Sequence, residues 1–312
     1  MTTGKAPTTP PTRMPLPTHD RYPFSVIDQR KDFSWPGGKR LAFYLCFNIE
    51  YFAFGAGMGS DVGLANPAPN HRSYAWRDYG NRVGLSRMLD LVDELDLPAC
   101  HNVNSFLYDA HPEIFKRIRA RGDEVIGHGR TNAERILPAW EEDERRLIAE
   151  ATAALNRNEG KPPKGWLGPW LAETWVTPDL LKEAGYTYLL DWACDDQPIW
   201  MNTRAGKILS VPYPIEVNDS PAIVFRHHSA REFADMIVDQ FDEMLRQSER
   251  QPLVCPIALH TFVVGQPFRL GPLRQALKHC KTHPQADRVW FTRPGEIADY
   301  CYSMPPDTLV SG

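Results

Sequence analysis

The sequence predicts an α/β fold in which a parallel sheet rolls into a barrel of about seven strand–helix units. Three observations predict it. Apolar runs such as residues 40–47 and 253–259 are nearly continuous, as in strands buried on both faces. Stretches with apolar residues at helical spacing alternate with those runs. Polar side chains then appear where the runs end, which is where α/β barrels place their chemistry.

With 312 residues the chain can bury a large core, and 42% apolar with 24% charged residues is an ordinary globular composition. The net charge of -4 and a pI near 6.2 argue against nucleic acid or an anionic membrane as partner, because both require clustered Lys and Arg. A small or neutral ligand is expected instead. The six cysteines (46, 100, 194, 255, 280 and 301) form no CxxC pair and several sit in apolar runs, as buried free thiols of a reducing compartment would. No segment reaches the roughly 18 to 20 apolar residues of a membrane span, and the Thr- and Pro-rich start has no signal-peptide run. These features place residues 1–20 in a mobile tail, residues 21–312 in one domain, and the protein in the cytoplasm.

Taken in order, residues 40–47 read as the first strand, ending in the polar Asn48-Ile49-Glu50. Residues 51–76, rich in Gly, Pro, Asn and aromatics, read as a long loop, a lid or a subunit contact. Leu85, Met88, Leu89, Val92 and Leu95 recur at helical spacing behind Tyr79 and Arg82. A short strand follows over 98–104, then a helix over 112–121 stopped by Gly122. Acidic residues 141–144 open a helix that runs to 156, and Thr177-Pro178 opens another. Strands are expected over 186–192, 208–213 and 289–291, with helices over 230–246 and 272–280 and a last one from about 294.

The stretch from Asp123 to Asn132 organises the rest. Val125 and Ile126 run as a third strand into Gly127-His128-Gly129, where the flanking glycines let the backbone turn and leave the imidazole uncrowded. Asn132, four residues on, returns its amide to the same side if a helical turn begins after Gly129. Asn48 and Glu50, His128 and Asn132, Asp195 and Asp196, and His260 would then converge on one face of the barrel.

With those residues in hand, the chain resembles the polysaccharide deacetylase (NodB-like) superfamily, in the branch that holds PuuE-type allantoinases and certain peptidoglycan deacetylases. The resemblance covers about residues 22–300. It rests on Trp35-Pro-Gly-Gly-Lys-Arg40, Asn48-Ile-Glu50, Asp78-Tyr-Gly-Asn-Arg-Val-Gly84, Gly127-His-Gly-Arg-Thr-Asn132, Gly165-Trp-Leu-Gly-Pro169, Asp191-Trp-Ala-Cys-Asp-Asp-Gln-Pro198, Leu259-His260 and Gly265-Gln-Pro-Phe-Arg269. It implies a distorted (β/α)7, TIM-like barrel and hydrolysis of carbon–nitrogen bonds other than peptide bonds.

Metal-dependent members of the superfamily carry an acidic pair on the first strand and an HxxxH pair on the third. Here Asn48 stands at the base position and Asn132 at the second histidine. A divalent metal such as zinc, if present, would fall to Glu50, His128 and Asn132. The resemblance implies His260 as general acid and Glu50, His128, Asp195 and Asp196 as the other catalytic residues. Asn48, Asn132, Trp170, Arg82 and Tyr79 are the candidate substrate contacts, with Trp170 an apolar wall where an orienting Arg is usual. The expected substrate is a small-molecule or saccharide-like amide or imide, with no nucleic acid and no membrane as partner, and the expected assembly a homo-oligomer. A rival reading, a non-catalytic barrel serving as a binding protein, follows from the same two asparagines.

Overall fold

A computed structural model describes residues 18–54, 71–134 and 139–311. Nine strands form one sheet: β1 (Leu41–Ile49), β2 (Cys100–Val103), β3 (Glu124–Gly127), β4 (Gly165–Trp166), β5 (Tyr188–Leu189), β6 (Ile199–Thr203), β7 (Gly206–Ser210), β8 (Leu253–His260) and β9 (Val289–Phe291). Their order is β6-β7-β5-β4-β3-β2-β1-β8, with β9 paired to β1. Every pairing is parallel except the β6–β7 hairpin. Among the described residues no ladder joins β7 to β8, so the predicted barrel is a curled, open one.

β1 is buried along its whole length, as its unbroken apolar run requires. Leu41, Phe43, Leu45, Phe47 and Ile49 pack outward under the helices, while Ala42, Tyr44 and Cys46 pack with Ile126, Val254 and Ala258 in the lumen. This alternation decides which polar residues reach the site.

Helix α1 (His71–Tyr79) runs through a π-helical turn (Gly80–Gly84) into α2 (Leu85–Glu94). The apolar stripe of α2 is core, with Leu85, Met88, Leu89 and Val92 buried. The expected loop over 51–76 is thereby corrected at its end, where Tyr74 and Trp76 belong to α1. Residues 55–70, and 1–17 of the expected tail, lie outside the described residues. Gly84 presses the π turn against the chain beyond β8, for a Cβ there would stand 2.0 Å from the Thr261 carbonyl oxygen. The remaining helices are α3 (Leu107–Ala110), α4 (Phe115–Arg121), α5 (Glu141–Glu159), α6 (Thr177–Glu183), α7 (Ala230–Gln247), α8 (Pro267–Thr282) and α9 (Pro294–Ser303). β6 was not expected from the sequence.

Candidate active site

Strand alternation delivers the polar residues. Asn48 follows Cys46 on the lumen face of β1, and His260 follows Ala258 on that of β8. The parallel register sets Asn48 beside His260 on one side and Asn102 on the other. Glu50 and His128 stand just beyond the ends of β1 and β3.

Glu50 Oε1 lies 3.6 Å from Nε2 of His128 and 3.6 Å from Nε2 of His260, and all three side chains are buried. Both gaps exceed a direct hydrogen bond. The His128 ring places Nδ1 2.7 Å from the Leu167 carbonyl, which can only accept, so Nδ1 carries the proton. Its Nε2 is buried and has no partner, and its lone pair faces Glu50. On the opposite side, His260 Nδ1 is 2.7 Å from Asp219 Oδ1, and the same carboxylate accepts the His260 backbone N–H at 3.0 and 2.8 Å.

Charge follows geometry. Burial disfavours an imidazolium at His260, but Asp219 and Glu50 outweigh it and push the ring up to about 10. Burial also opposes the Glu50 carboxylate, yet the His260 imidazolium above all holds it down at about 2. Asp219 is shifted upward, because burial outweighs the pull of His260. Glu50 and His260 therefore face each other as carboxylate and imidazolium across the neutral range.

These groups line a cavity of about 180 Å³, with Asn48, Asn132, Trp170 and Tyr213 in its wall. Trp170 and Leu171 both adopt left-handed backbone, at φ 67° and 52°, a strained pair held where the wall is built. Trp170 Nε1 also donates to the Asn132 carbonyl at 3.0 Å. Asn48 is fully occupied, donating to Tyr213 Oη at 3.1 Å and to the Leu259 carbonyl at 3.3 Å while accepting from Asn102 at 2.9 Å.

The donor set does not fit a resident zinc ion. Asn104 Nδ2 donates to Asn132 Oδ1 at 2.9 Å, and Asn132 Nδ2 donates to Glu50 Oε1 at 2.5 Å. Turning that amide over would set two NH2 groups face to face and an oxygen against a carboxylate. Asn132 thus offers N–H where a ligand is needed, and His260 is held as a cation. Glu50 and His128 alone fall short of the three protein ligands a catalytic zinc takes. Among the described residues one other trio has the spacing for an ion, Asp242, His279 and His283 between α7 and α8. There Gln285 N–H donates to His283 Nδ1 at 3.1 Å, which puts the neutral ring's proton on Nε2 and leaves only two lone-pair donors.

Four expected site residues lie elsewhere. Asp195 pairs with Arg30 at 2.6 Å, and the Asp196 carbonyl accepts from Val254 N at the start of β8. Val254 is six residues from His260, roughly 20 Å along a strand, so Asp195 and Asp196 sit at the opposite end of the barrel. The cause is the shortness of β5, after which the chain runs back to the β6–β7 hairpin. Arg82 is exposed and paired with Asp78, while Tyr79 Oη meets Arg87. Arg77 lines the cavity instead, and Asn81, inside the π turn, donates to the Glu50 carbonyl at 2.9 Å. Asp195→Asn should leave kcat/KM unchanged while costing about 1–2 kcal/mol in denaturant unfolding. A large fall in turnover would return Asp195 to the site.

Asp219, Tyr213 and Asn104 were not anticipated. Asp219 sits in Asn218-Asp219-Ser220-Pro221, a run of turn formers whose only sequence signal is a helix start.

A family model described as polysaccharide deacetylase matches residues 67–189. A peptidoglycan deacetylase of Helicobacter pylori is 23% identical over 287 residues, 82% of this chain and 94% of that one. The crystal structure of PuuE allantoinase superposes with a TM-score of 0.80 at 26% identity, covering 91% of this chain and 99% of its own. A probable polysaccharide deacetylase from Pseudomonas aeruginosa PAO1 does so with a TM-score of 0.78 at 25% identity, covering 87% and 94%. Fold and comparisons together set the chain beside deacetylases and an allantoinase. The chain is thus similar in sequence and fold to polysaccharide deacetylases, the likeness its motifs imply.

Proposed function

We propose that the protein hydrolyses a small amide, cyclic imide or ureide without a resident metal. The observation that carries this reading is Glu50 Oε1 at 3.6 Å from the Nε2 atoms of both histidines on a cavity of about 180 Å³. A 3.6 Å gap between two acceptors suits a bridging water. That water donates one proton to Glu50 Oε1 and one to His128 Nε2, which turns its lone pair toward a substrate carbonyl. Attack forms the new C–O bond as the water O–H directed at His128 breaks and its proton passes to Nε2, and it sends the carbonyl electrons to oxygen, where the His260 imidazolium offsets the charge. Collapse breaks the C–N bond with both electrons going to nitrogen, which takes the proton of His260 Nε2–H. A strongly basic leaving nitrogen is matched by an acid held near 10.

The cavity is smaller than the roughly 300 Å³ at which drug-sized sites begin, which favours a compact substrate over a glycan chain. The likeness to PuuE allantoinase favours a ureide or imide, and the likeness to a peptidoglycan deacetylase keeps N-acetylated saccharides as the second class to assay. The unpaired state of all six cysteines favours a reducing, cytoplasmic location. No helix among the described residues is long and apolar enough to cross a membrane. Exposed Trp140 and Trp175 favour a homo-oligomer.

Purified protein, dialysed against chelator, should turn over cyclic imides or ureides at an unchanged rate. Turnover restricted to acetylated saccharides and lost on chelation would refute the metal-free reading, and no turnover of any of these would favour the binding-protein alternative.

A further inference from the structure

One peptide group separates the His128 imidazole from two half-buried acids that the hydrolytic scheme leaves unused. On its carbonyl side, Leu167 O accepts from His128 Nδ1 at 2.7 Å. On its amide side, Gly168 N–H donates to Asp191 Oδ1, also at 2.7 Å. Residue 168 has to lack a side chain for this approach, since a Cβ there would stand 3.2 Å from Asp191 Oδ1 and 2.7 Å from the Ala172 carbonyl oxygen. Behind Asp191 lies Glu173, close enough for a proton to be held between the two carboxyls. Trp192 Nε1–H occupies the far Glu173 oxygen at 2.8 Å. Asp191 Oδ2 and Glu173 Oε1 are buried, and no donor among the described residues reaches either.

Two carboxyls whose facing oxygens are buried cannot both be charged, so the pair shares a proton. Burial raises both groups, Glu173 to about 7. Because Gly168 N–H occupies Asp191 Oδ1, the proton sits on Asp191 Oδ2 and is donated to Glu173 Oε1. The hydrogen bonds then run in one direction, from His128 Nδ1–H to the Leu167 carbonyl, from Gly168 N–H to Asp191, and from Asp191 O–H to Glu173.

We propose that Asp191 is a positioning residue for His128, holding the ring's proton on Nδ1 through the Leu167–Gly168 peptide and so keeping the Nε2 lone pair on the attacking water. The inference rests on the reading of His128 as the water's acceptor. A peptide whose N–H is hydrogen-bonded becomes a better acceptor at its oxygen, because hydrogen bonds in a chain polarise one another. The two histidines are thus set in two ways, His260 by direct contact with Asp219 and His128 across one amide.

The test is the tautomer of His128, read from nitrogen chemical shifts of 15N-histidine-labelled protein without substrate. The unaltered protein should show Nδ1 protonated and Nε2 unprotonated. Asp191→Asn supplies the same acceptor to Gly168 and puts N–H where the carboxyl O–H stood, so it should keep both that signature and kcat/KM. Asp191→Ala should average the two tautomers and lower kcat/KM by about 10–100-fold, as loss of a hydrogen-bonded partner behind an active-site imidazole typically does. An unchanged His128 signature in the Ala variant, or a lost one in the Asn variant, overturns the proposal. If the Ala variant does not fold, the Asn variant decides alone. The tautomer is read without substrate, so a failed turnover screen leaves this test intact.

Discussion

Glu50→Gln should lower kcat by about 10³-fold while leaving the fold in place, a loss in the range for removing a positioned acid–base group. Gln has the same shape, and its oxygen can still accept the Asn132 N–H that Glu50 now takes at 2.5 Å. What disappears is charge. The proposed attacking water loses its anionic acceptor, and the His260 imidazolium loses the carboxylate 3.6 Å away. Steady-state kinetics beside a thermal melt separates the two effects. A variant within tenfold of the unaltered rate would mean that Glu50 does not handle the water, and the role would pass to His128 alone.

Asp219→Ala should be the most destabilising single change in the site, at about 3–5 kcal/mol, because it strips a buried imidazolium of its contacting partner. The pH dependence gives the sign. His260 is raised in the folded protein from an ordinary value near 6.5 to about 10. Its contribution to stability is therefore complete below about 6.5 and is lost as pH rises through about 10. Asp219 works partly against this, since burial raises its own carboxyl. Without Asp219 the alkaline loss of stability should begin at lower pH, and the alkaline limb of kcat/KM should move down with it. Urea unfolding from pH 6 to 11 and a pH–rate profile measure both. An alkaline limb that stays near 10 in the variant would show that Asp219 does not set the charge on His260.

The two predictions concern residues of unequal visibility in the sequence. Glu50 follows a strand whose period-two pattern is explicit, with Leu41, Phe43, Leu45 and Phe47 outward and Tyr44 and Cys46 inward. The same argument finds Asn48, His128 and His260. Asp219 belongs to no strand, and only the pairing of Asn218 with Ala258 on the outer edge of β8 brings it under His260. Asp195 and Asp196 failed in the opposite sense, since adjacent carboxylates after an apolar run suggest a strand end. β5 has only two residues, and the chain has turned back before it reaches them.

The sequence by itself determined the α/β class, the strands that carry the site, and the three side chains that meet in it, because side-chain direction along a strand is a local property. Tertiary structure alone decided the rest. The rotation of the Asn132 amide depends on Asn104, 28 residues away in the chain. The face that α1 and the π turn offer to the site depends on how Gly84 packs against Thr261. Whether His260 is charged depends on Asp219, 41 residues before it. Each of these is set by a contact that exists only once the sheet has curled, so no pattern of neighbouring residues records it.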